Sequence, residues 1–193
     1  MHTAAGGAEP PPSTYPAPMP QSRNTQPAES FLAGLPGSLT ALLEGLAACT
    51  RDIDLAWTAV DFAGRVLDLD DCVVYLLDTD GATLSQYAAW GPKRIAERVV
   101  ENRINLRIGE GVVGACALSG DSILVSDTRL DRRHVADEGS GLSELAVPVL
   151  AGARVLGVID TEHPTPDHFG SRHMRALQAI AAPLAAGLIR VGR

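Results

Sequence analysis

Three acids in the last third of the chain, Glu144, Asp160 and Glu162, have types and a spacing that could do chemistry. They fall in two runs, Ser143-Glu-Leu-Ala-Val-Pro148 and Gly157-Val-Ile-Asp-Thr-Glu162, that read as strands. Ala151-Gly152-Ala153 between them predicts a turn. A three-residue turn sets Leu150 opposite Arg154 and, counting back along both strands, Glu144 opposite Asp160. Side chains alternate between the two faces of a strand, so all three acids then share one face. Like charges gathered this way destabilise a sheet unless one is protonated, a cation intervenes or backbone N–H groups of a covering loop satisfy them. The chemistry predicted is recognition of a positive group, such as the amino group of a small ligand. Structural use stays open beside it, with the acids pinning the covering loop or facing water. The parity rests on the turn: a two- or four-residue connection sends Glu144 to the other face from Asp160.

Other residues could join such a site. Ser143 accompanies Glu144 as a candidate ligand-binding residue, and Trp90 could stack on a ligand or close the core. His134 and Asp137 belong to a polar loop, Asp127 to Gly141, that must cover the acid-bearing face. His163, His168 and His173 recur every five residues, but across a Pro-containing loop and a helix start, where loop and cap roles outweigh a metal site. Cys116 lies in an apolar helix with no basic neighbour to lower its pKa, so it reads as packing. Gly109-Glu-Gly-Val-Val-Gly114 matches the dinucleotide pattern G-x-G-x-x-G. The helix it opens is too short, the strand before it alternates, and no further βαβ units follow, so a glycine turn is the better reading.

The elements that must position these residues follow from periodicity. Ser38 can cap a helix whose apolar face is Leu39, Leu42, Leu43 and Leu46. A second helix starts near Asp52 and carries Ile53, Trp57, Val60, Ala63, Val66 and Leu67. Cys72–Leu77 and Thr83–Ala89 form a hairpin about the Asp78–Gly81 turn. A short polar helix is expected over Ile95 to Asn102, then a strand through Ile104, Leu106 and Ile108 and a helix from Val112 to Leu118. A strand, Ser122 to Ser126, precedes the polar loop, and the closing strands are Leu142 to Leu150 and Arg154 to Glu162. The last helix starts at Ser171, a good cap, with an interior Pro183 expected to kink it. The order predicts an α+β domain: a mostly antiparallel central sheet flanked by N- and C-terminal helices.

Composition sets the outer limits. The chain has 193 residues, 46% apolar and 20% charged, with a formal net charge of −7, so a basic footprint for nucleic acid is missing. Residues 1–29 form a Pro-rich tail, with seven of the 13 prolines before residue 28; such a segment buries too little to offset its ordering entropy and is expected to be disordered. Residues 30–193 would be one folded domain. Three cysteines at wide spacing, Cys49, Cys72 and Cys116, suggest neither a disulfide framework nor a zinc site. No run is long and apolar enough to span a bilayer, and no export signal is seen, so neither a membrane partner nor secretion is expected and a cytoplasmic setting fits.

Together the motifs resemble a family. Gly109 to Gly114, Ser143-Glu-Leu-Ala-Val-Pro148, Gly157-Val-Ile-Asp-Thr-Glu-His-Pro164 and Phe169 before a long helix are similar to a GAF domain, over about residues 38 to 190. Tyr87-Ala-Ala-Trp-Gly-Pro-Lys93 and Asp127-Thr-Arg-Leu-Asp131 fit the GAF modules of bacterial signalling proteins. The resemblance implies a ligand pocket between sheet and covering loops, dimerisation through the terminal helices, and an output protein acted on in trans. It extends to the free methionine-(R)-sulfoxide reductases, whose substrate-holding acids match Glu144, Asp160 and Glu162. That family's redox cysteines fall at about Arg103, Val113 and Asp137, and a strand tryptophan at Asp71, so the binding half matches while the thiolate chemistry has no nucleophile. The resulting expectation is a non-catalytic sensory module without a cofactor; a reductase-like enzyme and a dimerisation module with a vestigial pocket are the alternatives.

Overall fold

The computed structural model describes residues 39–101, 103–133 and 141–193. The tail expected over residues 1–29, together with Ser38, Asn102, His134 and Asp137, lies outside the described residues. Helix α1 spans Leu39–Ala48 and helix α2 spans Asp52–Leu67. In α1, Leu42 and Leu46 are buried, as their spacing requires. In α2 the predicted Trp57, Val60 and Ala63 are buried together with Leu55 and Ala59, and Ile53 and Leu67 pack partly buried against the same core. Asp52 and Asp54 in its first turn and Arg65 in its last complement the helix dipole.

The sheet follows: β1 Cys72–Leu77, β2 Thr83–Trp90, β5 Asn105–Arg107, β6 Ile123–Val125, β7 Ser143–Ala151 and β8 Arg154–His163. Its strand order is β5-β2-β1-β8-β7-β6, antiparallel throughout. Helix α3, Gly111–Ser119, sits against β5, β7 and β8, while α2 and the last helix, α4, Ser171–Arg190, pack on β1, β2 and β7. In α4, Leu177, Ile180, Leu184 and Leu188 are fully buried, and the helix continues across Pro183. Ser171 is its first residue rather than its cap; Gly170 flanks it, and the Gly170 N–H is taken up by Nδ1 of His173. No helix among the described residues is long and apolar enough to cross a membrane.

Two expectations are corrected. The polar helix over Ile95 to Asn102 is instead a two-stranded ladder, β3 Arg94–Ala96 and β4 Val99–Val100, turning at Arg98 with φ +56°. The β-branched pair favours extension, Val100 is buried, and Arg94 pairs with Asp61 while lying 5.0 Å over the Trp57 ring. Tertiary contacts here outweigh helical propensity. The second correction concerns the closing hairpin. Its turn is Gly152-Ala153, with Ala151 opposite Arg154, two residues rather than three. Leu150 pairs with Val155 and Val149 with Gly157, leaving Leu156 as an extra residue in β8. This bulge moves the register by one more position, so that Glu144 faces Glu162 and Ala146 faces Asp160. The three acids therefore still share a face, because the shorter turn and the bulge offset each other.

Glycine opens one close contact that shapes the β2 end. A Cβ on Gly64 would stand 2.2 Å from Cδ2 of Trp90, so α2 accepts the indole flat against its backbone. Gly64→Ala is expected to displace that ring and cost about 1–3 kcal/mol; a melting curve and a red-shifted tryptophan emission would show it.

Candidate functional site

The shared face of the β7–β8 hairpin gathers Glu144, Asp160 and Glu162, with one carboxylate oxygen from each within 4.8 Å of the others. Glu144 and Asp160 are 4% and 5% exposed. Asp160 pairs with Val73 on β1, so Tyr75, two residues on, shares its face, and Gln86 lies opposite Tyr75 on β2. Gln86 is satisfied on both sides: its Nε2 donates to the Tyr75 hydroxyl at 2.8 Å, and its Oε1 accepts from the Ile104 N–H at 3.3 Å. The first residues of α3, Gly111, Val112 and Val113, close the pocket with Lys93, Ile104 and Leu106. The space enclosed is about 20 Å³, room for roughly one water.

The electrostatics are those of crowded acids taken out of water. Glu162 Oε2 accepts from the Gly141 N–H at 2.6 Å. Asp160 Oδ1 is buried with no hydrogen-bond partner among the described residues. Burial, then the charges of Glu144, Glu162 and Asp71, push the Asp160 carboxyl well above the usual carboxylate range, opposed by the Lys93 ammonium. The Tyr75 phenol is pushed up by burial and by Asp160. Such a cluster can hold a positive charge. An ammonium group fits its size and supplies up to three donors, one of them for the orphaned Asp160 oxygen.

The other predicted site residues part company with the acids. Ser143 is fully buried on the opposite face from Glu144 and donates to the Thr165 carbonyl at 2.8 Å. Trp90 donates from Nε1 to the Leu69 carbonyl at 2.9 Å and packs over Gly64, away from the pocket wall. His134 and Asp137 lie outside the described residues. Of the positions matched to redox cysteines, Val113 lines the pocket as an apolar wall. Cys116 is fully buried one turn further along α3, its thiol pushed up by burial and by Asp160 and Asp121, which disfavours the thiolate a nucleophile needs.

Sequence reading missed Tyr75, Gln86 and Lys93. Each left a trace: a hydroxyl-bearing ring in the apolar run Cys72–Leu77, an amide in the alternating Thr83–Ala89 strand, and the chain's only lysine. None of these traces says that Tyr75 and Lys93 line one pocket or that Gln86 holds the Tyr75 hydroxyl. A larger cleft, about 730 Å³, lies at the other end of the hairpin among Ile53, Leu77, Val155 and Val191. Two arginines on its rim are paired, Arg193 with Asp52 at 2.8 Å and Arg51 with Asp54 at 2.7 Å.

Comparison with known proteins bears on the whole arrangement. The family model for the GAF domain matches residues 53–188. No curated protein matches the chain significantly. Among solved structures, free methionine-R-sulfoxide reductase from Neisseria meningitidis in complex with its substrate is similar at 24% identity, covering 78% of this chain and 86% of that one, with a TM-score of 0.66. The GAF domain of an Acinetobacter phosphoenolpyruvate-protein phosphotransferase is similar at 21% identity, over 79% and 90% of the two chains, with a TM-score of 0.68. Type II free methionine-R-sulfoxide reductase from Thermoplasma acidophilum gives 22% identity, 77% and 96% coverage and a TM-score of 0.61. At these identities the likeness is one of fold.

Proposed function

The chain belongs to the GAF domain family, and from that premise we propose that it is a non-catalytic module that binds a small molecule through a protonated amino group. Glu144, Asp160 and Glu162 receive the ammonium. The observation that carries this reading is the Asp160 oxygen left without a partner among the described residues, where three carboxylates converge. A buried acid in that state costs free energy that a bound cation recovers. The enclosed space is too small for a ligand beyond a few atoms, so binding must displace a wall, either the start of α3 or Lys93. A ligand that binds only the displaced state shifts the population toward it, which is what a sensor requires.

A thermal-shift and calorimetric panel of free amines, amino acids and their N-acetylated counterparts tests the reading. Amines should stabilise the protein and their acetylated forms should not; stabilisation that ignores acetylation would refute it. The fold likeness to two reductases favours a second reading, turnover of free methionine-(R)-sulfoxide. Arg103 and Val113 stand where that family's cysteines fall, and Cys116 is buried with a disfavoured thiolate, which speaks against it. A coupled reductase assay should show no turnover; turnover abolished by Cys116→Ser would replace the binding module with an enzyme.

We propose that output runs through the terminal helices. Leu43 on α1 and Ile189 on α4 are 48% and 46% exposed, large apolar residues on the two helices through which a homodimer would pair and act on a separate output protein. Leu43→Glu with Ile189→Glu should convert a dimer to a monomer in native mass spectrometry, with the melting temperature of the domain little changed.

A further inference from the structure

Three imidazoles meet where the acid-bearing hairpin ends. His163 closes β8, His168 lies in the connection to α4, and His173 is in the first turn of α4. The rings of His163 and His168 stack with centroids 3.4 Å apart and planes 10° from parallel. His173 continues the stack, 5.6 Å from His168 at 23°. Phe169 stands edge-on to His168 and His173, at 5.0 and 5.6 Å.

The backbone specifies the protonation state this arrangement needs. Nδ1 of His163 accepts the Thr165 N–H at 3.1 Å, and Nδ1 of His173 accepts the Gly170 N–H at 3.2 Å. A backbone N–H can only donate, so both nitrogens present a lone pair, and a proton placed on either would set N–H against N–H. The same connection grips the start of β7. Ser143 Oγ donates to the Thr165 carbonyl, and the Leu142 N–H donates to the His163 carbonyl, each at 2.8 Å. On the other side, the Asp167 N–H donates to the Ser126 carbonyl at 2.8 Å.

We propose that the His163–His168–His173 stack is a proton-operated latch: with neutral rings it pins residues 164–170 to the start of β7, and protonation of His168 and His173 unstacks the rings and frees that edge. The strand start so released carries Gly141, whose N–H holds Glu162, and leads into Glu144. This device goes beyond the ligand reading and holds whatever occupies the acid pocket.

The charges around the stack support the direction. From the α2–β1 connection, Asp70 places Oδ2 at 3.3 Å from His163 Nε2 and favours charging His168. Against it, burial and then His163 hold His168 below the ordinary imidazole value, and burial, His168, Arg172 and His163 hold His173 below it. Asp167, in the connection itself, is exposed. Glu162 projects from the other face of β8 from His163. A ring whose closed-state value is depressed takes up its proton on opening. The latch is therefore fully stable above about pH 6.5, weakens as pH falls from there toward the closed-state values, and levels off below them.

Amide hydrogen exchange of the full chain, corrected for intrinsic rates, tests this from about pH 7.5 to about pH 5. Protection at Leu142, Thr165 and Gly170 should fall together once pH drops below about 6.5, while Val147 and Ile159 keep theirs. The double variant His168→Phe with His173→Gln keeps a flat ring in the stack and an oxygen to accept the Gly170 N–H, and its protection should stay level with pH. Ring-proton titration by NMR of the unmodified chain needs no variant and should place His168 and His173 below the ordinary imidazole value. A double variant that loses protection in step with the unmodified chain, or rings that titrate with protection unchanged, would overturn the latch.

Discussion

Asp160→Asn is expected to abolish binding of amines while raising the melting temperature. The carboxyl is buried, flanked by two other acids and short of a hydrogen bond; an amide of the same shape removes the charge and offers Nδ2 as a donor to Glu144 or Glu162. The gain should be about 1–3 kcal/mol, or roughly 2–12 °C for a domain of this size. Its pH dependence carries a definite sign. Asp160 titrates above its unfolded value, so the folded protein binds more protons than the unfolded chain across that window, and stability is lost as pH rises through it. The variant lacks this loss. The two melting curves should converge near pH 4 and separate as pH increases, and equal separation at every pH would argue against an ionised Asp160. Binding moves oppositely: loss of one charged partner of a desolvated ammonium costs about 2–5 kcal/mol, more than an order of magnitude in affinity, and in the unmodified protein affinity should rise with pH over the same window. Calorimetry with the best amine of the panel measures both.

Gly157→Ala is expected to be the most damaging single methyl group in the sheet. A Cβ there would stand 2.2 Å from the Tyr75 carbonyl oxygen and 3.2 Å from the Leu76 Cα, both backbone atoms of the neighbouring strand, which cannot rotate aside as a side chain can. Gly157 follows the bulged Leu156 and pairs with Leu76 on β1. Relief requires β1 and β8 to part or the bulge to migrate, and bulge migration would turn Asp160 and Glu162 away from Glu144. A loss of about 3 kcal/mol or more is expected, lowering the melting temperature by roughly 6–12 °C. Any folded fraction should also bind amines poorly. Retained stability would mean that the two strands are less tightly apposed than their geometry indicates.

The fate of the hairpin shows how sequence reading reached a correct face by an incorrect path. Alternation identified both strands, and Ala151-Gly152-Ala153 marked the turn. It did not reveal that Gly152 turns the chain at φ +63° within a two-residue connection, nor that Leu156 is passed over in the pairing. The bulge depends on β1 lying alongside, which no local pattern in β8 records. Ile95 to Asn102 failed for a related reason: its polar composition suits a surface helix, but Val100 finds burial and Arg94 finds Asp61, both supplied by the fold. Ser143 and Trp90 failed as pocket residues because their neighbours in sequence, Glu144 and the Gly91 turn, say nothing of which side chain the core claims first.

The carboxylates, the Gly-rich start of α3, the helices themselves and the order of elements outside Ile95 to Asn102 were determined by sequence alone, because alternation, helical period and glycine turns are properties of the local backbone. Tertiary structure decided what those residues are worth. Burial of Asp160 comes from Tyr75, Lys93 and the start of α3, far apart along the chain, and desolvation, not the presence of a carboxylate, is what raises its pKa and leaves an oxygen waiting for a donor. The three histidines were likewise visible at spacings of five, yet only the path of the chain from β8 into α4 stacks their rings and turns their Nδ1 atoms onto backbone N–H groups.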